Sequence, residues 1–176
     1  MPSNGVWDFT VELRYKPVID MLVELGNDGA RYKVPLHKFA LEYIQEVRDR
    51  FSRQAFTSRS KWAPLSPDYQ ADKGSRAILV LSGKMKNAFT SSGSAIMHID
   101  DESVTIGSDK IPYAMAMNWG RPKSGRRRGE NRLPTRSFMG WDDDIRDRLI
   151  ELLSEHQNMI MGQLARKYQT GGSPVG

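Results

Sequence analysis

The residues best equipped for chemistry in this chain are its clustered charges. Between positions 121 and 136 stand Arg121, Lys123, Arg126, Arg127, Arg128, Arg132 and Arg136 against a single acid, Glu130. That stretch has a formal charge of +6, whereas the whole chain of 176 residues has +5, so the remainder sums to about −1. The cationic character is therefore local. Such a concentration serves contact with a polyanion or an acidic partner rather than the lining of a small-molecule site. Three readings stand side by side: a solvated loop; a nucleic-acid interface, where cations near phosphates make binding steeply salt dependent; and docking on acidic protein surfaces in an oligomer, where arginine is favoured for bidentate contacts. Trp119 and Trp141 flank the run and have rings that can stack on bases, although flanking aromatics more often anchor a loop.

The remaining reactive groups form no constellation. Asp142, Asp143 and Asp144 are consecutive. On a helix such neighbours point in different directions and make a poor metal cage, but they suit the positive end of a helix dipole. Asp100, Asp101 and Glu102 read as a hairpin tip. His37, His98 and His156 lie far apart without ligand spacing, and read as solvated or packed side chains. There is no Gly-rich phosphate loop, nucleophile elbow or HExxH. The chain has no cysteine, which excludes disulfides, thiolate nucleophiles, zinc ribbons and iron–sulfur sites and fits a reducing cytoplasm. The expectation is a protein without catalytic residues, cofactor or metal. No run approaches the length of a membrane span, and the N-terminus is not a secretory signal.

Two long amphipathic segments must position these charges. Leu36, Phe39, Ala40, Tyr43, Ile44, Val47 and Phe51 form one helical stripe, with Lys38, Glu42, Glu46, Arg48, Asp49 and Arg50 assigned to the other face. Glu46 and Arg50 form an i,i+4 pair. The acids at 142–144 open a second helix to about 168, with Ile145, Leu149, Leu152, Leu153, Met159, Ile160 and Leu164 as its stripe. Its length of about 40 Å lets it lie across a sheet or reach a neighbour.

Between these helices the pattern is mixed. Residues 95–100 and 103–107 alternate as a β-hairpin, and 112–120 form a short helix stopped by Gly120. Residues 77–89 read as a helical segment interrupted at Ser82–Gly83, with Ser82 able to cap the second part. The stretch 56–73 reads as a loop with a helical turn after Pro67, pinned by Trp62 and Leu65; a buried Trp62 needs a partner for its indole N–H. Residues 137–141 read as extended. Nearer the N-terminus, 6–13 read as a strand with Phe9, Val11 and Leu13 on one face, and 17–25 as a short helix before a turn at 27–29. The expected fold is α+β: a small antiparallel sheet, made of the hairpin (95–107) and flanking strands, packed by helices at about 35–52 and 142–168. The expected organisation is an extension or strand over 1–30, one domain over 31–168 and a flexible tail over 169–176.

The ordered segments WAPL (62–65), LSGKM (81–85), SVTIGS (103–108), IPYAMAMNWG (111–120) and LPTRSFMGW (133–141), followed by a C-terminal helix, resemble the virion morphogenesis, or tail completion, family of tailed bacteriophages. The resemblance covers about residues 36–165 and leaves 1–30 outside. Each segment alone is weakly specific, whereas their order and spacing are fairly specific. The sequence departs at Trp119, where an aromatic such as Phe is usual, and at Ser137, where a second proline is common. The resemblance implies a tail-terminator-like or neck-protein-like structural subunit of the virion, made in the host cytoplasm. It implies a homo-oligomeric ring, commonly a hexamer. Partners would be the tail tube, terminator or head connector, with genomic DNA in the lumen and no membrane. A heterologous ring needs two different surfaces on each subunit. Arg121, Lys123, Arg126, Arg127, Arg128, Arg132 and Arg136 are the expected intersubunit or DNA contacts. Tyr113, Trp119, Phe138 and Trp141 are the expected loop anchors, with Tyr113, Trp119 and Phe138 expected in the core. Arg136 also reads, with Tyr113, Trp119 and Phe138, as a residue that fixes the roots of the loop, with an equal alternative, an ion pair with Asp142 or Asp144. The competing classes are a nucleic-acid-binding protein using the 121–136 loop and, with least support, a hydrolase or nuclease with a site assembled from scattered acids.

Overall fold

The apolar stripe of the first long segment produces α1 (Lys33–Arg53), and Leu36, Phe39, Ala40, Tyr43, Ile44, Val47 and Phe51 are all buried. The helix stops at Gln54, which adopts a left-handed conformation with φ 54°, a state that costs a non-glycine residue roughly 1–2 kcal/mol. Gln54 is held there from both ends: its side-chain oxygen accepts the N–H of Ile78 at 3.0 Å, and its carbonyl accepts that of Trp62 at 2.9 Å.

The computed structural model describes residues 9–14, 32–73, 77–91, 94–120 and 133–170, with backbone alone for 9–14 and 164–170. The expected helix at 17–25, the turn at 27–29, Leu164 as a stripe side chain and the end of the tail lie outside what is described. In chain order the elements are β1 (Phe9–Arg14), α1, β2 (Ala55–Thr57), β3 (Ser60–Lys61), α2 (Pro67–Lys73), α3 (Lys84–Thr90), β4 (Ile96–Ile99), β5 (Ser103–Ser108), α4 (Ala114–Trp119) and α5 (Asp143–Thr170). This is the expected α+β arrangement. The sheet is antiparallel with order β1-β5-β4. Val11 pairs with Ile106 and Leu13 with Val104, so β1 adds its alternating residues in register with two buried core positions. The Asp100 carboxylate accepts the N–H groups of Glu102 at 2.8 Å and Ser103 at 2.6 Å, which closes the β4–β5 turn and holds that carboxyl below its usual pKa.

Three local expectations are corrected. Residues 77–83 are turns rather than helix; α3 begins at Lys84 after Gly83, whose φ of 73° occupies the cap position with no side-chain cap, so Ser82 does not cap it. The segment after α1 is not all loop, because β2 and β3 form a small ladder whose turn is closed by Thr57 Oγ1 accepting the N–H groups of Arg59 and Ser60. Residues 138–140 bend instead of running extended.

α5 runs antiparallel to α1. Leu149, Leu152 and Leu153 are buried in the common core. The edges are tied by Arg148 to Glu42 at 2.7 and 3.0 Å, Lys38 to Glu155 at 3.8 Å and Tyr32 Oη to Gln157 Oε1 at 3.3 Å. Beyond Gln157 the helix continues past the start of α1. Met159, expected in the stripe, is exposed there with Met161.

The largest departure is Arg50. Assigned to the polar face, it is fully buried. Its Nε donates to Glu46 at 3.0 Å, Nη1 to Gly140 O at 3.1 Å and Nη2 to Asp142 Oδ2 at 2.8 Å, and its charge lies 4.1 Å from the centre of the Phe56 ring. The other Asp142 oxygen accepts the N–H of Ile145 at 2.9 Å, so one carboxylate caps α5 and neutralises Arg50. Removing one member of a buried pair typically costs about 3–5 kcal/mol. Arg50→Ala is therefore expected to lower the urea-unfolding free energy by that order, and Arg50→Lys to recover only part because an ammonium cannot match the planar fork. A loss for Arg50→Ala below about 1 kcal/mol would contradict this.

The Glu42 carboxyl is held below its usual pKa, chiefly by the hydrogen bond from Arg148, whose own pKa is raised by the same contact. A lowered carboxylate pKa stabilises the fold above the unfolded-state value and ceases to do so as pH falls through the folded-state value. The stability difference between the natural chain and Glu42→Gln should be constant at neutral pH and shrink from roughly pH 5 downwards. Urea unfolding across pH checks this, and a pH-independent difference would refute it.

Candidate interaction site at the root of the cationic segment

Arg121, Lys123, Arg126, Arg127, Arg128 and Arg132 lie outside the described residues. The residues on either side of them are described, and they lock together. The Met117 carbonyl accepts the N–H of Arg136 at 3.1 Å. Thr135 Oγ1 donates to Trp119 O at 3.0 Å and Ser137 Oγ to Asn118 O at 3.1 Å. The Asn118 side-chain oxygen accepts two successive backbone N–H groups, Phe138 and Met139, both at 2.9 Å. Gly120 completes the closure. Its φ is +75°, and a Cβ there would stand 2.9 Å from Leu133 O and Thr135 N, so only glycine allows the two backbones to approach. The 121–132 segment thus leaves and re-enters the fold at one point.

Two further segments brace this root. Trp62 is buried and donates its indole N–H to Ser137 O at 2.7 Å, the partner that its burial demanded; Leu65 packs beside it against the core. Arg136 is 7% exposed; its Nε donates to Ala63 O and its Nη2 to Pro64 O, both at 2.9 Å. It makes no ion pair with Asp142 or Asp144; Asp142 is engaged by Arg50. Burial lowers the Arg136 pKa. From the α1 side, Tyr43 Oη accepts the Gly140 N–H at 2.9 Å, and Gly140, at φ 147°, faces the Phe56 ring so closely that a Cβ would lie 3.3 Å from it.

The four expected anchors divide. Phe138 is fully buried, 5.3 Å from Phe51 and 5.1 Å from Phe89 between ring centres. Trp141 is half-buried and stacked on Phe39 at 5.8 Å. Tyr113 and Trp119, expected in the core, are instead 49% and 62% exposed. The reason lies in α4: its buried residues are Ala114 and Asn118, one turn apart, so Met115 and Trp119, one position further round, face outwards. Met115 and Trp119 therefore lie on the exposed side of α4, and Tyr113, at its N-cap, is exposed as well.

Sequence reasoning missed Asn118 and Arg50. Arg50 had a usable signal, since it falls three residues after Val47 and seven after Tyr43, on the apolar stripe. Asn118 had a weaker one, at i+4 from Ala114. Among the described residues, no three His, Cys, Asp or Glu side chains gather as a metal site, and no helix is long and apolar enough to cross a membrane. His37 and His98 are exposed and His156 is partly buried.

The segments that meet here, 62–65, 117–120 and 133–141, are distant in sequence, so their spacing records a shared tertiary structure. The model of the phage virion morphogenesis family matches residues 13–158. The chain belongs to the phage virion morphogenesis family. No curated protein and no solved structure matches it. The family match opens inside β1 and closes within α5, so this phage morphogenesis unit takes in residues 13–30, which the sequence motifs had left outside.

The family root is expected to depend on Asn118 more than on any exposed residue near it. Its amide nitrogen has no partner among the described residues, so its contribution is the oxygen that serves two N–H groups. Asn118→Ala should lower stability by about 1–3 kcal/mol, the usual cost of orphaned buried donors, whereas Trp119→Ala should stay within about 0.5 kcal/mol. Chemical denaturation of the two variants tests the contrast; equal losses would refute it.

Proposed function

We propose that this phage morphogenesis protein is a structural ring subunit of the tail or neck, which completes the tail and helps join it to the head. The observation that carries the reading is the root itself. Hydrogen bonds from α1, residues 62–65 and α4 hold one point, and between its two sides the sequence carries six cations against one acid over 121–132. A braced base on both sides of a strongly cationic segment supports a protein whose work is contact. In this reading the protein is not an enzyme. Copies of the chain, commonly six, surround the tail axis. Arg121, Lys123, Arg126, Arg127, Arg128 and Arg132 meet a neighbouring subunit or the tail tube, terminator or head connector, or face DNA in the lumen. Arg136 serves the same contact from beneath, by holding the root.

A second reading, nucleic-acid binding by the separate subunit, draws support from Trp119, an exposed ring beside the cations that can stack on bases.

One experiment separates the two. In a phage encoding this chain, Arg126, Arg127, Arg128 and Arg132 are changed together to alanine. The ring reading expects virion yield to fall by about 100-fold or more, as loss of clustered interface arginines would produce, with unassembled heads and tails visible by electron microscopy and an unchanged melting temperature. Normal yield would overturn it. Micromolar DNA binding by the purified monomer, falling steeply with salt and lost in the variant, would favour the second reading.

A further inference from the structure

β4 ends the three-stranded sheet, whose order is β1-β5-β4. An edge strand leaves a row of backbone N–H and C=O groups without a ladder partner. Folded proteins usually blunt such an edge with lysine, proline, a bulge or a covering segment. β4 carries none of the first three: its sequence is IMHI and its register with β5 is unbroken. Nor do the described residues cover it. Ile96 is 36% and Met97 40% exposed, and His98 is exposed as well.

The register with β5 decides which groups face outwards. Asp100 donates its N–H to Ser103 O at 3.1 Å, so these two form a hydrogen-bonded pair. Such pairs alternate along an antiparallel ladder, which makes His98–Thr105 and Ile96–Gly107 the next two. The N–H and C=O groups of Met97 and Ile99 therefore point away from β5, to the open edge. Met97 stands opposite Ile106 and Ile99 opposite Val104, both buried, so Met97 and Ile99 share the core face. Ile99 packs against the core, and Met97 extends the apolar face to the exposed margin. Ile96 and His98 lie on the other face.

We propose that β4 pairs antiparallel with β4 of a second copy of this chain, about a two-fold axis at His98. The strand complements itself in that register. Met97 stands opposite the partner subunit's Ile99, and Ile99 opposite the partner subunit's Met97. The two N–H and two C=O groups that each β4 turns outwards are then all bonded within β4 of the other copy. On the core face an apolar side chain meets an apolar one at both positions. The acidic tip at Asp100–Glu102 comes beside Ser94 and Ala95 of the partner subunit, which carry no charge, so no acid opposes an acid. The two three-stranded sheets join as one. This contact is isologous: it joins copies in pairs and does not close a head-to-tail ring, so it stands or falls separately from the ring reading.

The chain has no cysteine, so a single introduced thiol can link only to its own counterpart. About this axis the two residues 98 form a non-hydrogen-bonded pair with Cα atoms about 4.5 Å apart, a separation that a disulfide spans. The two residues 96 lie about 13 Å apart, too far to be bridged. His98→Cys and Ile96→Cys place a thiol on the same face of the same exposed strand. The full-length variants are oxidised mildly at matched concentration, and the linked dimer is followed by non-reducing electrophoresis. His98→Cys is expected to link at least about 10-fold faster than Ile96→Cys, because the geometry admits only the first pair. Adding Met97→Lys to His98→Cys sets a charge on the edge, the device by which other proteins keep edges apart, and should remove that advantage; Met97 is exposed, so the fold accommodates the change. Equal rates for the two single variants would overturn the proposal, as would a rate that Met97→Lys leaves unaltered. Faster linking of Ile96→Cys would also overturn it, since the axis would then lie elsewhere.

Discussion

A guanidinium taken fully out of water must find its hydrogen-bond partners inside the protein, and Arg50 imposes that demand on this fold. Its planar set of N–H groups fixes where acceptors must stand. One comes from its own helix, Glu46; the others come from Gly140 and Asp142, some ninety residues later. The bend at 138–140 and the first turn of α5 are therefore placed relative to α1 by direction as well as by packing. An apolar residue would fill the same space without specifying the angle at which the chain turns. Asp142 extends the constraint, because the carboxylate that neutralises Arg50 also caps α5. The start of that helix and the position of the charge are a single requirement.

The root of the cationic segment is built on this frame. Asn118, Trp62 and Arg136 each use side-chain groups to satisfy backbone groups of another segment. This solves a general difficulty of loop-rich regions, whose backbone N–H and C=O groups have no ladder to join. In a low-dielectric interior such bonds are worth more when complete and cost more when broken. The outcome is a division of labour along a short stretch of chain. Phe138 and Asn118 are spent on the interior, while Trp119, their neighbour at the root, is left to solvent. The exposed aromatic is not a packing failure, since α4 has already buried the face that Ala114 and Asn118 provide.

The pairing of α1 with α5 follows a different logic. Its strength lies in Leu149, Leu152 and Leu153 against the α1 stripe. The half-exposed Arg148–Glu42 contact and the exposed Lys38–Glu155 contact contribute little by themselves, but they favour one alignment of the two helices.

Much of the architecture was readable from the amino-acid sequence. Periodicity identified α1 and the core face of α5 as far as Leu153, alternation identified the hairpin, and Asp142 to Asp144 marked a helix start; all are local patterns that a few neighbouring residues suffice to specify. Order and spacing of short segments were enough to indicate the family. Reading was poorer where two local preferences competed, as at 77–83, whose apolar run is compatible with helix but is held in turns by Gln54. It failed where the decisive partner was remote. Arg50 looked like one more surface charge and Trp119 like a core residue; Arg136 was readable as a root residue, but its partners Ala63 and Pro64 were not. Their surroundings are set by groups 72 to 92 residues away for the two arginines and, for Trp119, by which face of a six-residue helix the rest of the fold covers. A hydrogen bond across that separation leaves no periodic trace along the chain. The elements were therefore written in the sequence, whereas the roles of the charged and aromatic residues that join them were decided only when folding brought their partners within reach.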